Sequence, residues 1–318
     1  VTRSFPPPFD ALPSAHSELD RERERAAGNA GELEQLGMRA FAAGFLPFAV
    51  TAYRAALWVD RAADLPVERS TRVQVRLAVA EIRLGMLQSA VESAVESAVE
   101  SVTEAADDSL GRKSEGYAHL QLGNARRYLG AWDEARSSLT IATQAGETGR
   151  PGGGGDGLLV LAASCGLGEL ALDRDEPERA VVHFGRALGL SELTSDDAVT
   201  VAPLAGLAEA HARWRAPHKA VELAERALTR AVRVDDAAGA ARAYLSLAIA
   251  SGDHRHIASA EREALRAPHL PLWVRAKSLR LSLHPDTIDD ASRLQAYEVA
   301  LWAGMRPETA ILGSGKQP

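Results

Sequence analysis

Residues 122–135 read Leu122-Gly123-Asn124-Ala125-Arg126-Arg127-Tyr128-Leu129-Gly130-Ala131-Trp132-Asp133-Glu134-Ala135. The stretch predicts the end of one helix, a turn at Gly130 and the start of a second helix. A glycine just past a helix end takes the left-handed conformation without steric cost. Leu122 precedes Ala135 by thirteen residues, and Leu139 and Ala142 continue the apolar face of the second helix.

Outward from this segment the same offset recurs. Leu36-Gly37 and Gly44 lead to Ala49, Tyr53 and Ala56; Leu167-Gly168 leads to Ala180, Phe184 and Ala187. Leu207-Ala208 leads to Ala220, Ala224 and Ala227. Two weaker copies are Leu77-Ala78 with Gly85, Ala90 and Ala94, where Ser97 replaces the last Ala, and Leu247-Ala248 with Ala260, Ala264 and Ala267. A fixed period of this kind is the mark of a repeat array.

Close packing of antiparallel helices explains the pattern. Small residues stand where two helices cross, and Tyr53, Leu139 and Phe184 fill the space toward the next repeat. Gly44, Gly85 and Gly130 are predicted helix terminators, and Pro177 and Pro217 fit the first turn of a helix, where a missing N–H costs nothing.

The pattern resembles the tetratricopeptide repeat family over roughly residues 30–267. Successive second-helix alanines, Ala49, Ala90, Ala135, Ala180, Ala220 and Ala260, are spaced by 41, 45, 45, 40 and 40 residues. That is longer than the family's usual period of about 34. It is similar to repeats of adaptors and of bacterial signalling regulators. The resemblance implies an all-α, right-handed superhelical solenoid of antiparallel helix pairs, about six repeats with a C-terminal capping helix pair. Expected boundaries are a Pro-rich arm at 1–16, the solenoid at 17–267, capping helices at 268–305 and a flexible tail at 306–318.

The resemblance also implies a ligand in the concave groove lined by first helices. Carried over by position, the groove residues are Gln35 and Met38; Arg76, Val79 and Arg83; Tyr117, Asn124 and Arg127; Glu169; and Glu209 and Arg213. Asn124 offers a donor and an acceptor on one amide, suited to a peptide backbone. Arg76, Arg83 and Arg127 form an expected basic wall. The family's chaperone-binding members clamp a C-terminal carboxylate with a Lys and Asn one turn apart. Here Leu120 stands at the Lys position, which disfavours that specific function.

Composition narrows the remaining classes. The 318 residues are 46% hydrophobic with 5% aromatics and carry a formal charge of −7. Nucleic-acid binders usually show a basic footprint, so direct nucleic-acid binding is not expected. No apolar run is long enough to span a membrane. The N-terminal residues lack the apolar core of a signal peptide, and one cysteine, Cys165, allows no internal disulfide, so a cytoplasmic location is expected.

Few residues suggest chemistry. The Gly-rich stretch 149–157 lacks the Gly-Lys-Ser/Thr ending of a phosphate loop. His254-Arg255-His256 beside Asp253 reads as a solvated turn, because a metal site needs further ligands. Cys165 reads as a buried small hydrophobe. No catalytic residue, metal or cofactor is expected. The three Ser-Ala-Val-Glu units of 89–100 predict an amphipathic helix whose Val91, Val95 and Val99 form a slowly winding stripe. The functional expectation is a scaffold binding a peptide or a partner helix in its groove. The alternative is a regulatory module that senses a peptide or small effector. A homodimer through Trp273 and Trp302 near the C-terminal end is compatible with both.

Overall fold

The thirteen-residue offset marks six antiparallel helix pairs. The computed structural model describes residues 17–63, 67–104, 109–148, 155–194 and 196–313, all helix and turn. The Pro-rich arm, residues 149–154 of the Gly-rich stretch and residues 314–318 lie outside the described residues. After α1 (Ser17–Arg25), α2 (Ala30–Ala42) pairs with α3 (Leu46–Ala62), and α4 (Val67–Arg83) with α5 (Leu87–Glu104). Then α6 (Ser109–Tyr128) pairs with α7 (Trp132–Glu147), and α8 (Gly157–Asp173) with α9 (Pro177–Ser191). α10 (Asp197–Arg213) pairs with α11 (Pro217–Arg233), and α12 (Ala237–Ser251) with α13 (His254–Arg266). A C-terminal unit follows, α14 (Leu270–Leu283), α15 (Asp290–Ala303) and α16 (Arg306–Gly313). Among the described residues no helix is long and apolar enough to cross a membrane.

In three of the pairs the glycine of the first helix receives the large residue of the second. A Cβ added to Gly37 would lie 2.6 Å from the Tyr53 ring, one on Gly123 2.6 Å from Leu139, and one on Gly168 2.8 Å from Phe184. The same side chains also bridge to the following pair. Leu139 presses on Gly166, where a Cβ would lie 2.7 Å away, and a Cβ on Gly206 would overlap the Phe184 ring. One large residue thus fixes both the crossing inside a pair and the stacking between pairs, as interior density requires.

Turn chemistry follows the expected positions. Gly130 has φ 75°, and its neighbour Ala131 donates its N–H to Arg126 O at 3.0 Å, the six-to-one bond of a helix-ending Schellman turn. Asp175 and Arg215 hold the same left-handed conformation without glycine, at φ 57° and 59°. Pro177 and Pro217 open α9 and α11. In α5 the valine stripe winds outward as its geometry predicts: Val91 is half-buried, while Val95 and Val99 are exposed.

The C-terminal unit does more than cover the last repeat. α14 touches α12 and also reaches α4, so the inner helices α4, α6, α8, α10, α12 and α14 make a complete circuit. One core joins Ile82, Leu87 and Ala90 of the second pair and Tyr128 of the third to Leu270, Trp273 and Ala303 of the C-terminal unit. Gly85 is needed there twice: its φ is 73°, and a Cβ on it would lie 2.7 Å from Leu270. Burying a large apolar side chain contributes about 1.5–3 kcal/mol, so a seam holding Leu270, Trp273 and Met305 is firmly packed.

Asp289 caps α15, accepting Ser292 N–H at 2.7 Å, after residues 285–287 form a 3-10 turn. Two expectations change here. Part of the expected tail is the helix α16, whose Leu312 is buried in the seam core. Trp273 is only 3% exposed and Trp302 is half-buried, so these two residues do not form an open face for a second copy.

Candidate functional site: a cavity walled by the inner helices

The circuit of first helices walls an open cavity of about 540 Å³. α4 contributes Val79, Ile82 and Arg83, and α6 contributes Tyr117, Gln121 and Asn124. α8 adds Leu158, Leu161 and Cys165; α10 adds Val199 and Ala202. Arg242 of α12, its N-cap Asp236, and His269 at the N-cap of α14 complete the wall. The lining is mostly apolar with a few polar groups, the usual composition of a small-ligand site.

The polar groups of α6 are available to a ligand. Asn124 and Gln121 are half-buried and make no side-chain hydrogen bond among the described residues. The Asn124 Oδ1 lies beside Gly166, which leaves room where a side chain would crowd it. Tyr117 holds its hydroxyl 3.5 Å from both carboxylate oxygens of Asp156, the residue that caps α8 by accepting Leu159 N–H at 3.1 Å. Burial and the Asp156 charge push the Tyr117 hydroxyl above its usual pKa, so it stays protonated.

A buried ion network forms the floor. Arg127, with a side chain 1% exposed, pairs with Asp173 at 2.6 Å and with Glu169 on α8, and Glu169 also takes Arg242. Burial opposes the Arg127 charge, but Asp173 and Tyr128 together outweigh it and hold the guanidinium above its usual range. Behind this partition is a second cavity of about 230 Å³, which includes Asp173, Glu209, Arg213, Arg275 and Glu308 in its lining. Burial would raise Glu209, yet Arg275 at 3.1 Å and Arg213 at 2.5 Å hold it below its usual value.

Of the residues expected in the groove, Val79, Arg83, Tyr117, Asn124, Arg127 and Glu169 meet at the main cavity. Glu209 and Arg213 line the second cavity instead. Gln35 and Met38 are exposed on α2 and line neither. The expected basic wall does not form as such. Arg76 is spent on Glu34, which Arg72 also approaches at 3.2 Å, and Arg127 is spent on Glu169 and Asp173. Only Arg83 of the three makes no ion pair among the described residues.

Sequence reasoning missed Gln121, Arg242 and His269. A signal for Arg242 was present. It stands five residues before Leu247, the register that Tyr117 holds before Leu122, and Ala162 and Ala202 hold before Leu167 and Leu207. All four line the cavity. His269 carried no such signal, because only ring closure brings the start of α14 to α4. Elsewhere, Asp253 caps α13 by accepting Arg255 N–H at 2.9 Å, and no group of three His, Cys, Asp or Glu is placed to hold a metal among the described residues.

No family profile and no curated protein matches the sequence. Solved structures do match in fold. A Rap conjugation gene regulator of the plasmid pLS20, in complex with the Phr* peptide, superposes at TM-score 0.70 with 12% identity, over 98% of this chain and 82% of that one. A Rap protein complexed with Competence and Sporulation Factor gives TM-score 0.69 and 14% identity, over 94% and 80%. A signal transduction ATPase with a tetratricopeptide repeat sensor from Pyrococcus horikoshii gives 0.50 and 14%, over 92% of this chain and 44% of that one. Helix pairs, crossing residues and these likenesses agree that the chain is a solenoid with the tetratricopeptide-repeat fold.

Proposed function

We propose that this chain is a binding protein that holds a short peptide inside the cavity of its inner helices. The observation that carries the reading is the pair of amides, Gln121 and Asn124, which make no side-chain hydrogen bond among the described residues and stand beside the apolar Val79, Ile82, Leu158 and Leu161. A peptide backbone presents alternating donors and acceptors, which such amides match.

The cavity's ionisable groups also suit binding better than proton transfer. Burial pushes the Cys165 thiol up to about 12 and His269 well below its usual value. A general acid or base works best with a pKa near the working pH. We therefore assign no reaction to this site.

A regulatory role is the second reading. Two structural neighbours are Rap proteins solved with a peptide or factor, one of them a conjugation gene regulator. In this chain the cavity wall includes His269 of the C-terminal unit, so an occupant there would bias how that unit sits on α4.

The test is selection of binders from a displayed random peptide library against the intact chain. Asn124→Ala should weaken the selected peptides about tenfold, the loss of one or two hydrogen bonds, with helicity unchanged. Affinity unaltered by both Asn124→Ala and Gln121→Ala would remove the ligand from this cavity.

A further inference from the structure

We propose that Arg83, Arg242 and His269 form a carboxylate subsite in the wall of this cavity. The inference rests on the peptide reading and names the chemistry that the peptide must carry. The three residues come from α4, α12 and the cap of α14, and they meet at one cavity because the C-terminal unit closes the ring.

Each has unspent donor capacity. The Arg83 guanidinium lies 4.7 Å over the Phe41 ring and has no hydrogen bond or ion pair among the described residues. Asp236 acts on it only through space, and the Asp236 Oδ1 is engaged with Gly239 N–H at 2.9 Å. Arg242 has one carboxylate, Glu169, which it shares with Arg127. The His269 Nδ1 accepts Leu272 N–H at 3.4 Å, so in the neutral ring the proton sits on Nε2.

The local field agrees with this arrangement. Burial pushes Arg83 and Arg242 below their usual range, and His269 is depressed first by burial and then by Arg83 and Arg242 as like charges. A cation held in this way destabilises the empty protein, and an anion from outside relieves it. Two arginines can grip a carboxylate with charge-assisted hydrogen bonds, and Leu161 and Val199 leave apolar surface for the rest of the ligand.

The carboxylate has two sources, a peptide C-terminus or a Glu side chain, and three hexapeptide libraries separate them. One has a free C-terminus and no acidic residue, one is amidated with a single Glu, and one is amidated without acid. Each is equilibrated with the intact chain, and the bound fraction is read by mass spectrometry. At least tenfold enrichment of the first or the second library over the third is expected, and the preferred library identifies the source. The enrichment should vanish in Arg83→Met and persist in Arg83→Lys, with wild-type helicity in both. The thermal midpoint of empty Arg83→Met should equal or exceed that of wild type. Equal retention of all three libraries, or enrichment unchanged in Arg83→Met, overturns the subsite. If Asn124→Ala still weakens all three in that case, peptide binding in the cavity stands without it. No retention of any library overturns both readings.

Discussion

Arg127 on α6 and Asp173 on α8 meet at 2.6 Å behind the cavity floor, with Glu169 on the same guanidinium. A buried ion pair adds little over a well-packed apolar pair, but removing one partner strands the other's charge. Arg127→Met leaves Asp173 without this partner and should cost about 3–5 kcal/mol in urea unfolding. A cost under about 1 kcal/mol would mean the network is open to water. Arg127 is therefore a poor probe of ligand contact, although it lines the cavity.

Phe184 is held between Gly168 of its own pair and Gly206 of the next. Gly206→Ala forces a methyl into the ring and should destabilise by about 1–3 kcal/mol, the usual cost of overpacking. Gly185 is the control, since nothing lies within 4 Å of a Cβ there. Gly185→Ala in α9 should stabilise by about 0.5–1 kcal/mol. Thermal or urea unfolding of the two variants checks both signs.

Burial, and then the Asp173 charge, push the Glu308 carboxyl from 4.5 up to about 7. A raised folded pKa means that the folded state binds more protons between these values. Stability from this group is then present below about pH 4.5 and lost as pH rises through about 7. Glu308→Gln should have a higher Tm than wild type at pH 8, with the gap closing toward pH 5. Taking the difference between the two proteins at each pH cancels the contribution of His269, which runs the other way. A gap independent of pH would contradict the assignment.

Gln35 and Met38 stand apart from both cavities, and Arg76 is held by Glu34. Gln35→Ala and Met38→Ala should leave peptide affinity within about twofold of wild type. Arg76→Ala should lower stability, with Glu34 left less well paired, and leave affinity unchanged. Titration of a selected peptide against the three variants decides this.

The fold was legible because it rests on a local rule repeated six times. A Leu-small pair and an Ala thirteen residues later encode one crossing, and Gly44, Gly85 and Gly130 mark the turns. Half of the candidate site was legible for the same reason: Val79, Asn124 and Glu169 each stand two residues after the repeat Leu. The rest depended on distant pairing. Sequence alone does not say that Arg76 meets Glu34 or that Arg127 meets Asp173, and it places His269 far from Arg83. Ring closure was hidden because Leu270 and Gly85, which define the seam, are separated by most of the chain.

Hydrogen exchange of the intact chain with and without a selected peptide tests the central claim most directly. Occupation of the cavity predicts added protection on the inner helices, at the segments holding Gln121 and Asn124, Arg242 and His269, with α3, α7 and α9 unchanged. Protection confined to those outer helices, or none at a saturating peptide concentration, would contradict binding inside the ring.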